Sequence, residues 1–232
     1  MLKIYYLKIE ESMTLEGILK FKKYISRKRA VKVDHYKFEN DKKLSILGEL
    51  LIRYAICLNC NVINSEIKFK ENRYGKLFIE SIEDVFFNLS HSGSYVICGI
   101  SDQKIGIDIE EIKDIDLSIA SEFFCKSEND LILSAHGSDK IEYFYSIWCL
   151  KESYIKYEGR GLHIALDSFC FSIAGKTIKL IDSSNFKDIN FEMLPIDSNY
   201  KSAVCYNGSS IHSIEKVHID DILKVLKLNL TL

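Results

Sequence analysis

Asp108 and Glu110 are the residues whose type and spacing most suggest chemistry, in the run Ile105-Gly106-Ile107-Asp108-Ile109-Glu110. Apolar and polar side chains alternate there without a break, the period of a β-strand with one face in a core. The two acids therefore share a face, about 6.6 Å apart along the backbone. Carboxylates that close repel unless a cation sits between them, and Mg²⁺ is held by one or two carboxylates together with waters and phosphate oxygens. Gly106, on the same face, would leave the strand bare for a ligand to approach. Alone, Asp-x-Glu is a short pattern that also fits a half-exposed strand with two acids on its polar side.

Three other clusters could work with such an ion. Lys151, Glu152 and Lys156 fall in a helical pattern over 141–158, where Glu152 could bring a third carboxylate and the lysines could face phosphate oxygens. The plainer reading of Glu152 and Lys156 is a surface pair four residues apart. Ser90-His91-Ser92-Gly93 follows a strand and could wrap an anion with hydroxyls, an imidazole and backbone N–H groups, or be a plain polar turn. Ser26-Arg27-Lys28-Arg29-Ala30-Val31-Lys32 is a compact basic cluster, either a solvated face or an anion site. Seven cysteines lie scattered, and Cys57-Leu58-Asn59-Cys60 has no second pair or histidines to complete a metal site. They read as reduced core thiols.

The elements that must position these groups follow from periodicity. Met1 to Tyr6 reads as a first strand, and a helix opens near Thr14. Leu44, Leu47, Leu51, Tyr54, Ala55 and Leu58 mark a core helix, with Glu49 and Arg53 as a surface pair. Arg73-Tyr74-Gly75-Lys76 reads as a turn with Gly75 at positive φ. Strands are expected over 86–90, 95–100 and 105–110. In the 141–158 helix, Ile147, Trp148, Leu150, Tyr154 and Ile155 form one apolar sector, Lys151 projects from within it, and Gly159 is the stop. A short helix over 117–124 is followed by a polar stretch to Asp139, and strands near 168–173, 176–181 and 203–206 precede a closing helix from Asp220.

At 232 residues, 47% hydrophobic and 28% charged, the chain has globular composition and apolar content for a sizeable core. A net charge of −2 argues against a general nucleic-acid or membrane-surface binder. No apolar run reaches transmembrane length or resembles a signal peptide, so a cytoplasmic protein is expected.

Taken together, Phe87-Asn88-Leu89-Ser90-His91-Ser92-Gly93, Ile105-Gly106-Ile107-Asp108-Ile109-Glu110 and Trp148-Cys149-Leu150-Lys151-Glu152-Ser153-Tyr154-Ile155-Lys156 resemble the 4′-phosphopantetheinyl transferases. The length and the Trp before Lys-Glu match the surfactin-synthetase-activating (Sfp-type) branch. The resemblance implies an α+β fold of two similar α/β subdomains related by pseudo-twofold symmetry, with a cleft between them and division into residues 1–104 and 105–232. It implies transfer of phosphopantetheine from coenzyme A to a serine of a fatty-acid, polyketide or peptide carrier protein by a monomer, without nucleic acid or membrane.

Carried over residue by residue, Asp108, Glu110 and Glu152 would hold Mg²⁺, and Glu152 could be the base. Lys156 would stabilise charge on the pyrophosphate, with Asp108 and Glu152 completing the catalytic set. Ser90 and His91 would contact phosphates, Tyr74, Gly75 and Lys76 would border the coenzyme A cleft with Lys76 as a charge contact, and Arg29 and Lys32 would face phosphate. Leu44 replaces an expected arginine, leaving Lys42 or Lys43 to substitute, and Leu77 replaces a proline. Phe123, Phe124 and Lys126 are expected carrier contacts. Two other readings use the same residues: a catalytically silent coenzyme A or carrier-binding module, and a Mg²⁺-dependent coenzyme A pyrophosphohydrolase.

Overall fold

One order of elements occurs twice along the chain. The first pass is β1 (Leu2–Lys8), α1 (Leu15–Leu19), α2 (Arg27–His35), α3 (Glu39–Cys60), the hairpin β2 (Phe69–Glu71) and β3 (Leu77–Ile79), then β4 (Phe86–Ser92) and β5 (Tyr95–Ser101). The second is β6 (Ile105–Glu111), α4 (Ser118–Phe123), α5 (Lys126–Ser134), α6 (Asp139–Glu158), the hairpin β7 (Cys170–Ala174) and β8 (Thr177–Ile181), then β9 (Ile189–Met193) and β10 (Tyr200–Asn207). Pairing repeats too: β1 runs antiparallel to β5 and β5 to β4, as β6 does to β10 and β10 to β9. The last elements, β11 (Ile211–Lys216) and α7 (Ile219–Leu228), return to the first pass, where β11 adds parallel to β1 and α7 packs on α3. This computed structural model describes residues 1–80, 82–175, 177–181, 189–208 and 210–228, so the Lys176 start expected for one strand lies outside it.

Local sequence explains the ends that matter. Thr14 caps α1 by accepting from the Gly17 N–H, and Ser26 caps α2 by accepting from the Arg29 N–H. The basic cluster is thus a capped helix. Gly159 ends α6 at φ +70°, the left-handed stop its sequence position announced. Strands β9 and β11 and helix α5 carry weaker patterns and are additions to the elements read from sequence.

The first sheet is covered on both faces. Tyr5, Leu7, Val96, Cys98, Ile100 and Phe87 pack on α3, while Ile4, Tyr95 and Ile97 meet Ile105, Ile107 and Ile109 of β6. The second sheet presents its other face to α6. Two expectations change here. Glu49 and Arg53 are 2% and 5% exposed, so they are an internal pair (2.8 Å) rather than a surface one; Glu49 also accepts from Ser26 and Arg29 and thereby holds α2 against α3. The cysteines are not all reduced, because Cys125 at the start of α5 is bonded to Cys170 at the start of β7. At a sequence separation of 45, nothing in the sequence marks them as neighbours.

Candidate active site

The site is assembled where α6 lies directly on β6. A Cβ built on Gly106 would sit 1.9 Å from the Ser153 carbonyl oxygen and 2.3 Å from the Tyr157 nitrogen. What approaches the bare strand is therefore the backbone of α6, and the expectation of a ligand at Gly106 is corrected: only glycine admits the helix this closely. Two residues further along β6, Asp108 is 2% exposed. Its Oδ1 accepts from the Lys156 ammonium (2.6 Å) and from the Ser90 hydroxyl (2.8 Å), and Lys156 also donates to Ser90 (2.8 Å). Among the described residues its buried Oδ2 has no partner of ordinary hydrogen-bond geometry, although the Cys149 thiol also leans on the Asp108 carboxylate.

Side chains of β4 form rungs across to β6. Asn88 accepts from the Ile107 N–H, Ser90 donates to Asp108, and Ser92 donates to Glu110 (2.8 Å) while accepting from the Glu111 N–H. Ser90 thus belongs to the acid site. His91, one residue on, points to the opposite face of β4, so the two residues expected to share phosphate contacts are separated by strand alternation.

The electrostatics are those of a crowded acidic cluster with one cation. Burial and then the Asp108 charge push Glu110 up to about 7, and the same two causes raise Glu152 above the usual carboxylate range. Burial works against a charged Lys156, yet Asp108, Glu152 and Glu110 together outweigh it and hold this lysine above the ordinary range. Lys156 therefore remains an ammonium. Hard oxygen donors, an orphaned carboxylate oxygen and acids that resist losing their protons together fit a divalent cation such as Mg²⁺. Among the described residues, the only three potential ligand side chains within 4.8 Å of one another are Cys125, Glu128 and Cys170; the three acids stand further apart, with Lys156 already on Asp108. The Cys–Glu trio has its sulfurs joined and its carboxylate taken by Lys151.

Beside the acids opens a cavity of about 360 Å³, lined by Glu152, Ile155 and Lys156 of α6, by Tyr74-Gly75-Lys76-Leu77, and by Phe87, Asn88 and Leu89 of β4. Gly75 has φ +87°, the conformation the turn required of it. Tyr74 rests beside His163 with the two rings tilted, 5.1 Å between ring centres. Lys76 departs from expectation. Its ammonium donates to the carbonyls of Ile105 (3.2 Å), Tyr157 (3.3 Å) and Lys156, so its donors are spent on backbone and the expected charge contact with a ligand is withdrawn.

A second cavity of about 340 Å³ meets the first at Leu77 and is lined by Lys28, Arg29, Lys32 and Lys70 against Glu49 and Glu71. Arg29 is tethered to Glu49 (3.4 Å), and Lys28 pairs with Glu71 (2.7 Å). Partial desolvation and then the charges of Lys156 and Arg29 hold the His91 imidazole below the usual histidine range. Leu44 is buried in the α3 core.

Two further residues, Lys151 and Phe124, behave differently from their sequence reading. Lys151 is wholly buried, paired with Glu128 (2.8 Å) and donating to the carbonyls of Leu166 and Phe169, which resolves how a lysine sits in an apolar sector and removes it from any phosphate site. Phe124 is 4% exposed and stacks on Phe144, so as a carrier contact it is corrected to a core residue. Phe123 is 41% exposed, and Lys126 is exposed and paired with Asp130. Asn72 and Asn88 were not singled out from sequence. Asn72 shapes the 72–76 turn by accepting from the Tyr74 and Lys76 N–H groups and ties it to α6 by donating to Gly159. An Asn opening a Gly-containing turn was the available signal.

A cleft lined by Glu152 and Lys156 beside a basic cavity suits a phosphorylated ligand, and the comparisons with known proteins name the class. Residues 14–102 match the family model described as 4′-phosphopantetheinyl transferase, N-terminal, and residues 104–205 match that of the 4′-phosphopantetheinyl transferase superfamily. The chain belongs to the 4′-phosphopantetheinyl transferases. It is 36% identical over 207 residues to 4′-phosphopantetheinyl transferase Sfp of Bacillus subtilis (strain 168), covering 88% of this chain and 92% of that protein. It is 34% identical over 201 residues to 4′-phosphopantetheinyl transferase gsp of Aneurinibacillus migulanus, covering 85% and 84%. These relatives place it in the Sfp-type branch.

Proposed function

We propose that this protein transfers the 4′-phosphopantetheine arm of coenzyme A to a serine hydroxyl of an apo carrier protein, releasing adenosine 3′,5′-bisphosphate. The observation that carries the mechanism is the buried Asp108 carboxylate, whose Oδ2 has no partner of ordinary hydrogen-bond geometry among the described residues, held by Lys156, which together with Glu152 lines the cleft. Asp108, Glu110 and Glu152 would hold Mg²⁺. When bound, the ion supplies charge neutralisation and orientation for the pyrophosphate.

The chain's own groups do the rest. Glu152 faces the cleft with its carboxylate held above the usual range, suited to taking the proton from the serine hydroxyl as the new O–P bond forms. Lys156, kept charged by the acids, faces the same cleft and stabilises the negative charge that collects on the departing bisphosphate as the pyrophosphate P–O bond breaks. Ser90 orients Asp108 and Lys156 together. Arg29 and Lys32 form the basic end for the remaining phosphate, His91 can offer that phosphate a hydrogen bond rather than a charge, and Tyr74 and Gly75 border the cleft. The repeated order of elements supports reading residues 1–104 and 105–232 as two subdomains, with 211–228 packed back on the first. Among the described residues no helix is long and apolar enough to cross a membrane; action as a cytoplasmic monomer is part of this proposal.

The test is to incubate the protein with an apo carrier, coenzyme A and Mg²⁺ and weigh the carrier. A mass gain of one phosphopantetheine, lost in Asp108→Ala, is expected. Coenzyme A binding without transfer would leave a silent binding module, and phosphopantetheine released without carrier would mark a hydrolase.

A further inference from the structure

Lys76 stands on a turn of the first pass yet reaches only elements of the second. Ile105, one of its acceptors, opens β6, the strand that bears Asp108 and Glu110. Lys156 and Tyr157, the others, close α6, the helix that bears Glu152 and Lys156. Carbonyls in the last turn of a helix have no partner within it and form the negative end of its dipole, so an ammonium there meets both needs. The turn is built to deliver it. Asn72 Oδ1 accepts from the Tyr74 and Lys76 N–H groups (both 2.9 Å), and Asn72 Nδ2 donates to the Gly159 carbonyl (2.9 Å). A Cβ on Gly159 would sit 2.8 Å from the Lys76 Cδ, so the helix stop is shaped to the lysine stem. Burial and then the Lys104 charge lower this ammonium to about 8, a cost offset by three acceptors.

We propose that Lys76 is a positioning residue, a clamp through which the Asn72–Lys76 turn fixes the end of α6 against the start of β6 and so sets Glu152 and Lys156 relative to Asp108 and Glu110. The proposal rests on the transferase reading for its catalytic consequence, whereas the clamp itself is a matter of structure. It makes Lys76 a determinant of turnover rather than of coenzyme A affinity.

The experiment compares wild type with Lys76→Met and Asn72→Ala, well below their melting temperatures, by three measurements: kcat with KM for coenzyme A, coenzyme A dissociation by calorimetry, and amide hydrogen exchange. For Lys76→Met, kcat is expected to fall about tenfold or more with the dissociation constant within about twofold of wild type. The amides of 156–159 should exchange about tenfold faster or more. Asn72→Ala should show the same split, and the double variant should lose less than the product of the two, as residues in one network do. A rise of about tenfold in the dissociation constant with kcat and exchange unchanged would make Lys76 a ligand contact and overturn the clamp. If Lys76→Met does not fold, wild-type kcat and exchange in Asn72→Ala overturn it. Failure of wild type to load a carrier would sink the transferase reading, while exchange alone still decides the clamp.

Discussion

At the scale of single residues, Asp108 is the hinge of the site, one oxygen satisfied by Lys156 and Ser90 and the other buried with no partner of ordinary hydrogen-bond geometry among the described residues. Its neighbour Glu110 feels the consequence and is pushed up to about 7 by burial and then by Asp108. A folded-state value above the unfolded one means the metal-free protein is stabilised by Glu110 at low pH and loses that stabilisation as pH rises toward 7. A divalent cation needs the ionised form. Mg²⁺ should therefore raise the melting temperature strongly at about pH 8 and little at about pH 5, and Glu110→Gln should flatten this dependence; scanning calorimetry at both values checks it. Phe124 gives a second residue-scale prediction. Because it is packed against Phe144 and Trp148, Phe124→Ala should cost about 3–5 kcal/mol in urea melts while leaving the KM for carrier unchanged below the transition. Exposed Phe123→Ala should cost within about 0.5 kcal/mol.

At the scale of elements, the contact between α6 and β6 governs everything the acids can do. Gly106 permits it, since a methyl group there would collide with backbone atoms of Ser153 and Tyr157 that cannot rotate away. Gly106→Ala should destabilise the protein by about 3 kcal/mol or more and abolish transfer, measured by urea denaturation and carrier loading. Along the chain this contact leaves no visible mark beyond a small residue on the acid face. Helical period put Glu152 and Lys156 on one side of α6, and strand alternation put Asp108 and Glu110 on one side of β6. Neither period says that the two sides face each other.

At the scale of the whole molecule, two passes through one order of elements are joined by side chains rather than by a shared sheet. Asn88, Ser90 and Ser92 cross from β4 to β6, and the Asn72–Lys76 turn crosses to α6. Away from the cleft, the Cys125–Cys170 bond and the buried Glu128–Lys151 pair fasten α5 to β7 and α6. Closing a loop across a sequence separation of 45 is worth up to about 4 kcal/mol. Urea midpoints with and without a reducing dithiol should differ in that direction, and the Cys125→Ser variant should have the reduced midpoint in both conditions.

Sequence alone carried the local physics: the alternation of β6, the apolar sector and glycine stop of α6, the positive-φ Gly75 and the motifs that resemble a phosphopantetheinyl transferase. Those features depend on near neighbours in the chain, where backbone geometry fixes the spacing. Only the tertiary structure decided which neighbours the long side chains found. Lys76 went to three carbonyls, Lys151 to Glu128, Arg53 to a buried Glu49, and Phe124 inward while Phe123 stayed out. A flexible cation on a four-carbon stem reaches several places from one backbone position, and it is packing between distant segments that chooses among them.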